Sequence, residues 1–493
     1  MRIHGKTILT LFILIFQLVG CGGSGGSSVG GDDSTGTTSG IAEIGSLDPD
    51  FGKDNDGDGV RDGWIVHYAS DPSTFGNTFR VRDAVLDGSG RIYFTGYFYD
   101  FNAARERMLL LRLDASGELD TTFGVDYNSD GVKDGYWLGP ETETTVGNAL
   151  TLNNSATAVY VTGYIENSAG FRDMQIWRFD AATGLPDTSF DSNIISSGDG
   201  AFEFSDPDSD GDGSSEGDAE GFDVFVGSSG EIFVAGYTTN DRFGSEVAIW
   251  RLVSVFGFWG LDTFYANNGV FTYDAGEDSN AVSLAQTSDG KLFVGVTADN
   301  SVSSNSLGDV IILRLDEQGQ PDMDFPSTGA GGELVLHDIA GGGGGDVLTE
   351  IITLPDDTLL LVGYSANTTI STDGFVSKLT SSSGSWNFDT NFAENGTRLL
   401  HASNGTARSI FDMAYLPSEN AILLVGKEGL FPEKLAIWKL DGQGDISNES
   451  YLQFSSNDFF AFQRVFQRAS GQTVIVGERI NTTSFGVFAA QLR

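Results

Sequence analysis

The sequence has a single cysteine, Cys21, with only 10 prolines and 4 histidines in 493 residues. One thiol allows no disulfide within the chain, so the fold is held by apolar burial and hydrogen bonds. Four histidines leave little material for imidazole metal centres or proton relays. Basic residues are scarce too: 27 Lys and Arg stand against 69 Asp and Glu, a formal net charge of −42. Affinity for nucleic acid is built mainly on Lys and Arg contacts to phosphate, so this polyanion is expected to bind none. After the first twenty residues no apolar run approaches the length of a transmembrane helix. The G-x-S-x-G matches, at 22–26, 26–30 and 213–217, fall in Gly/Ser-rich stretches and not in a strand-to-helix elbow, and there is no H-E-x-x-H and no P-loop, which removes the most recognisable hydrolase, metalloprotease and nucleotide sites.

What is present begins with an address. Arg2 and Lys6 precede the apolar run Thr7–Val19, a short positive region and hydrophobic core of the kind that is cleaved as a secretory signal. Leu18-Val19-Gly20-Cys21 resembles the lipobox of bacterial lipoproteins, which implies cleavage before Cys21 and lipidation of its thiol. Residues 22–45 are rich in Gly and Ser and read as a flexible tether. The expected organisation is a signal at 1–20, a lipidated Cys and tether at 21–45, and a folded region at 46–493. Gly22 and Gly23 follow the cysteine with no Asp, which by the same resemblance implies the outer membrane, facing the periplasm or the exterior.

The folded region repeats itself. An apolar strand recurs as RIYFTGY (91–97), AVYVTGY (158–164), EIFVAGY (231–237), KLFVGVT (291–297), TLLLVGY (358–364), AILLVGK (421–427) and TVIVGER (473–479). Each copy is followed by a loop and a second strand, such as MLLLRLD (108–114), in which Arg112, Arg178, Arg251, Arg314, Lys378 and Lys439 recur in register and Gln491 breaks the run. Between repeats lies a junction close to L/P-D-x-x-F, at Asp48, Asp120, Asp187, Asp262, Asp322 and Asp389, degenerate near Asn448. With two earlier strands per unit, as in GWIVHY (63–68) and FRVRDAVL (79–86), the pattern predicts an all-β, seven-bladed β-propeller of four-stranded antiparallel blades. GELDTTFG (117–124), with RIYFTGY and RMLLLRLD, resembles the delta-sixty repeat of bacterial surface proteins. That resemblance covers about residues 46–493; it implies a propeller and carries no agreed activity.

Lettering the strands a to d from GWIVHY, the b–c connections are short and uniform, while the c–d loops (98–107, 298–309) and a–b loops (205–221, 274–280) vary widely. Variable loops on a rigid scaffold are where recognition sits, so the a–b/c–d face is the expected binding face.

Acidic loops carry a second expectation. Asp54, Asp56, Asp58 and Asp62 in the first repeat, and Asp126, Asn128, Asp130 and Asp134 in the second, share the spacing D-x-[DN]-x-D-G-x-x-D. Asp208, Asp210, Asp212 and Glu216 form a related third set. Oxygens at positions 1, 3 and 5 with Gly at 6 are the start of a calcium loop. Position 12 is Ile65, Trp137 or Ala219, so the loops resemble those of thrombospondin type-three and integrin-type propeller repeats more than an EF-hand. Calcium is the expected cofactor. Loops one and two read as structural staples between blades, and loop three lies on the variable face.

No catalytic set emerges. His67, His337 and His401 share one repeat position, but spread over separate repeats they read as packing or rim residues. Trp177, Trp250 and Trp438 share another and read as blade packing. Two functions stay open: a calcium-stabilised surface module, expected to be monomeric, binding protein or glycan; and a lyase or hydrolase acting in the central channel.

Overall fold

The computed structural model describes residues 46–54, 59–68, 78–190, 200–205, 217–239, 244–275, 279–298, 308–325, 332–367, 371–382, 385–401, 405–429, 434–452, 459–480 and 485–493. Cys21, Asp56, Asp58, Asp208, Asp210, Asp212 and Glu216 lie outside them.

Each repeat contributes short β-rich segments closed by tight Gly- and Asp-containing turns, so consecutive strands pair as hairpins. Seven antiparallel sheets result, arranged around one axis. Their inner strands are Thr78–Leu86, Thr145–Leu152, Ala219–Val226, Ser279–Gln286, Gly341–Thr353, Arg408–Leu416 and Phe459–Gln467, and these define blades one to seven. Blades three and five each carry a fifth strand, Phe258–Leu261 and Ser385–Phe388, in an extended hairpin.

The strand phase differs from the expectation. GWIVHY does not open the first blade; Trp64–Tyr68 is the outer strand of blade seven, paired antiparallel with Phe485–Leu492. The ring is thus closed by the beginning of the folded region completing its last sheet. Every repeat read from the sequence is offset by one strand, so each strand lettered a is an outer edge. The grouping of loops by face is unaffected.

Stacking supplies the core. Seven large apolar clusters lie among the described residues, one for each pair of neighbouring blades, and a small eighth around Tyr97, Val146 and Tyr164 joins blades one and two. Trp177, Trp250 and Trp438 are buried within them, as packing residues should be. A four-stranded sheet cannot bury both its faces alone, and here each borrows from two neighbours.

Candidate functional site in the central channel

The recurring basic residues and the junction aspartates are partners. Arg112 meets Asp120 at 2.8 Å, Arg251 meets Asp262 at 3.3 Å and Lys378 meets Asp389 at 3.0 Å; Arg178 with Asp187 and Arg314 with Asp322 repeat the pair. Where the repeat departs, the pair adapts. Gln491 donates through Nε2 to Asp48 at 2.9 Å, and Lys439 turns to Glu419. The junction aromatic is buried beneath the guanidinium, as in Arg112 over Phe123 at 4.2 Å. Burial opposes ionisation of Asp120, but hydrogen bonds from Thr122 and the Arg112 charge hold its carboxyl below the ordinary value. These pairs are blade architecture.

A different set lines the axis. All seven inner strands shift register at the same place, between Val81/Asp83, Gly147/Ala149, Gly221/Asp223, Ala281/Ser283, Leu348/Glu350, Ile410/Asp412 and Phe462/Arg464. Each shift is a β-bulge, which re-aims side chains and kinks the strand. Because the inner strand is an edge, its axial N–H groups need partners from elsewhere. The residue after the bulge supplies them to the next blade. Asp83 accepts from Leu150 N–H at 2.9 Å, Asp223 from Leu284 at 2.7 Å and Ser283 from Ile351 at 3.1 Å. Glu350 accepts from Met413 at 2.8 Å and Asp412 from Val465 at 2.6 Å. Blade two, with Ala149 at this position, uses its bulge residue Asn148 to reach Glu220 and the Gly221 carbonyl of blade three.

Arg464 completes the circuit. Its guanidinium lies 2.6 Å from Asp83, 2.7 Å from Asp412 and 3.7 Å from Glu350, joining blade seven to blades one, six and five. Its side chain keeps 26% exposure, whereas Asp83 keeps 4% and Asp412 2%, so solvent reaches the guanidinium along the channel. Burial disfavours its charge, but Asp83, Asp412, Glu350 and Asp223 together raise its proton affinity well above the ordinary value.

One guanidinium serves four carboxylates, and the surplus appears as retained protons. Burial first, then the neighbouring Asp412 charge, drives Glu350 well above the carboxylate range, and burial raises Asp412 as well. Asp223 is pushed up to about 6, chiefly by burial, with Arg464 opposing and Asp83 adding to the shift. Such a cluster can donate and accept hydrogen bonds at once. The bulge residues beside it, Arg82, Phe222, Thr349, Phe411 and Gln463 among them, keep solvent exposure on the inner strands.

The histidines do not belong to this centre. His67, on the outer strand of blade seven, is buried with Nε2 2.9 Å from the Gly117 carbonyl. His337 and His401 sit at the ends of the outer strands of blades four and five, their Nδ1 atoms 2.7 Å from Asp309 and 2.8 Å from Asp373. The three lie on the rims of separate blades, away from the axis.

The described parts of acidic loops one and two lie on the short-hairpin face; the residues of loop three lie outside the described residues. Loop two lies in the connection between the third and outer strands of blade one, and that connection reaches blade two through Gly124 N–H and Lys133 Nζ, which both donate to the Thr183 carbonyl, at 2.8 and 3.4 Å. Its carboxylates receive the loop's own amides: Asp126 from Gly131 at 2.9 Å, Asp130 from Val132 at 2.8 Å and Asp134 from Tyr127 at 2.7 Å. Loop one repeats the first of these, Gly59 to Asp54 at 2.8 Å; Asp62 is its other described acidic residue. Among the described residues no group of three His, Cys, Asp or Glu is arranged to hold a metal. A pocket of about 390 Å³ lies on this face between blades three and four, lined by Glu231, Arg251, Asp289 and Asp316. Its cation is already engaged by Asp262 and the Glu317 carbonyl.

A family model described as a domain of unknown function (DUF5122) beta-propeller matches residues 88–123 and 287–325, the equivalent stretches of blades one and four. No curated protein matches the sequence. Similar solved structures include an ulvan lyase of polysaccharide lyase family PL25, 9% identical with a TM-score of 0.44, the match covering 84% of this chain and 94% of that one. The β-propeller domain of the Trilobed protease from Pyrococcus furiosus is 8% identical, TM-score 0.42, with coverage of 85% and 94%. YCF48 bound to a D1 peptide is 10% identical, TM-score 0.39, with coverage of 92% and 99%.

Proposed function

We propose that the propeller is a surface-anchored binding module, tethered through Cys21, that receives a hydroxyl-rich ligand of the oligosaccharide class at its central channel from the variable-loop face. The observation that carries this reading is the surplus of carboxylate at the axis. A latch between blades needs only one acceptor, and Ser283 does that work in blade four. Four blades nevertheless use Asp or Glu, whose burial costs several kcal/mol per ion. Carboxylates paired with a solvent-reached guanidinium accept and donate to sugar hydroxyls, and Phe222 and Phe411 offer apolar faces to sugar C–H groups. Calcium at loops one and two belongs to the same reading as a stabiliser of the ectodomain; the oxygen donors suit it, and their carboxylates would have to turn from the loop amides to the ion.

An oligosaccharide array, followed by calorimetry on the parent chain and on Phe222→Ala and Phe411→Ala, tests the proposal. Truncating either aromatic is expected to weaken binding about tenfold, near 1.4 kcal/mol. Absence of any glycan ligand, or affinity indifferent to both truncations, sinks it. The proton shared by Glu350 and Asp412 favours a second reading, an acid–base enzyme in the channel. Turnover of a bound glycan that disappears in Glu350→Gln would select that reading.

A further inference from the structure

In blade three the third strand, Ser245–Val255, outruns its sheet. Its pairing with the second strand ends at Ile232↔Leu252, yet it continues to Val255 and turns back through Phe256 and Gly257 into Phe258–Leu261. The overhanging tip is apolar and bare. Phe256 is 98% exposed and Phe258 80%, with Val255 beside them at 57%. Phe264, a few residues on, is 91% exposed; Thr122, Ser189, Asp324 and Asn391 hold its place in other junctions. Phe256 also adopts φ 55°, a left-handed turn position that Asn or Gly fills more easily.

The fold does not require these side chains, and the molecule contains its own control. Blade five has the equivalent hairpin, with Ser382 paired to Ser385 where blade three pairs Val255 with Phe258. The next residue in each, Trp259 or Trp386, packs inward against Phe190 or Phe293. Serines therefore suffice for the turn, and the aromatics serve something outside the sheet.

Place and charge identify what covers them. The third-to-outer connections and junctions share one face, and the folded region begins on it: Leu47 bridges Leu492, and Arg493 N–H donates to the Ser46 carbonyl at 3.0 Å. The stretch between Cys21 and Ser46 is rich in Gly and Ser, a composition that as a free coil of that length spans roughly 27 Å. A lipid-anchored chain thus holds this face within reach of the bilayer, where a weak contact acts at high effective concentration. Leu252–Leu261 carries no charge at all in a chain of net −42, which suits a zwitterionic interface and not an anionic one. We infer that the Val255–Phe258 tip, with Phe264, docks into the headgroup region of a neutral bilayer, a second membrane contact beside the lipid anchor and resting on that anchored reading. Phe and other apolar side chains on a peripheral segment bury at the boundary of headgroups and acyl chains.

The test uses the full chain purified from membranes and reconstituted into phosphatidylcholine vesicles bearing a lipid-attached quencher. An environment-sensitive fluorophore is placed at Phe256→Cys or, on the opposite face, at Asn102→Cys. Quenching at 256 is expected to exceed that at 102 by about threefold or more and to resist added salt. It should fall to the level at 102 when Val255 and Phe258 are also replaced by Ser, the residues blade five uses. Equal quenching at both sites in vesicle-bound protein overturns the docking while leaving the anchor intact. Protein that fails to float with vesicles overturns the anchored reading instead. A dimer in sedimentation that the serine replacements dissociate overturns it in favour of a second copy.

Discussion

Arg464, on the inner strand of the last blade, donates through Nε to Asp83 on the inner strand of the first at 2.6 Å. The same guanidinium holds Asp412 of blade six through Nη1 at 2.7 Å, so one side chain spans the point where the ring closes. The outer strand Trp64–Tyr68 closes the rim of the same blade, and Glu478 takes the Val81 amide and the Arg80 guanidinium between them. Removing the axial cation leaves two nearly buried carboxylates uncompensated. Arg464→Gln is expected to lower stability by about 3–5 kcal/mol at neutral pH, read by urea denaturation. The loss should shrink as pH falls, because burial already raises the proton affinity of Asp412 and protonation removes its uncompensated charge. A loss below about 1 kcal/mol would show that the ring closes without it.

Asp223 sets a second, opposite pH dependence. Burial raises its folded value from 3.8 to about 6, so the folded state binds the proton more tightly than the unfolded chain. The stability this provides is complete below 3.8 and is lost as pH rises through about 6. Asp223→Asn keeps an acceptor for the Leu284 amide and cannot ionise. Its stability should match the parent near pH 4 and exceed it above pH 6 by on the order of 1–3 kcal/mol. A parallel offset at every pH would show that the carboxyl is not the titrating group.

His67 works in the other direction. Burial, above all, lowers its folded value from 6.5 to about 4, with Lys53 adding to the shift and the Gly117 carbonyl opposing it. The folded state refuses a proton that the unfolded chain accepts, so stability is complete above 6.5 and is lost as pH falls through about 4. Denaturation midpoints of His67→Gln, which keeps a donor for Gly117, should fall less than the parent's between pH 7 and 4. Across that range the two should diverge by on the order of 2–3 kcal/mol.

The architecture was legible because repetition is a sequence property: an apolar strand with a fixed turn before it and a basic residue in register after it needs no tertiary knowledge. The phase was not, since GWIVHY reads the same whether it opens one blade or completes another; only ring closure decides. The axial site was missed for a related reason. Asp83, Asp223, Glu350 and Asp412 share one position of the inner strand among other polar residues, and Arg464 lies twelve residues before its partner Val476, as Asp83 does before Thr95. Aligning the repeats on their second strands would have stacked these residues. The acidic loops carry the denser charge signal, but there the charge is solvated. The three histidines read correctly as packing or rim residues, because a shared repeat position places residues on separate blades at equal radius and brings them together only on the axis.

Calcium gives the last expectation. Asp54 and Asp126 accept the amides of Gly59 and Gly131 at 2.8 and 2.9 Å, a contact that the two loops share. An ion that binds the folded loops stabilises them by mass action. Millimolar calcium is expected to raise the melting temperature by roughly 1–3 °C, and chelator to reverse it. Asp126→Ala and Asp54→Ala should each remove part of the gain, and the two together nearly all of it. The missing bidentate Glu at position 12 predicts affinity in the range of extracellular modules, about 10⁻⁴–10⁻³ M, which calorimetry measures directly. Melting indifferent to both calcium and chelator, with no heat of binding, would make these loops polar turns and place the stability of blades one and seven wholly in their packing.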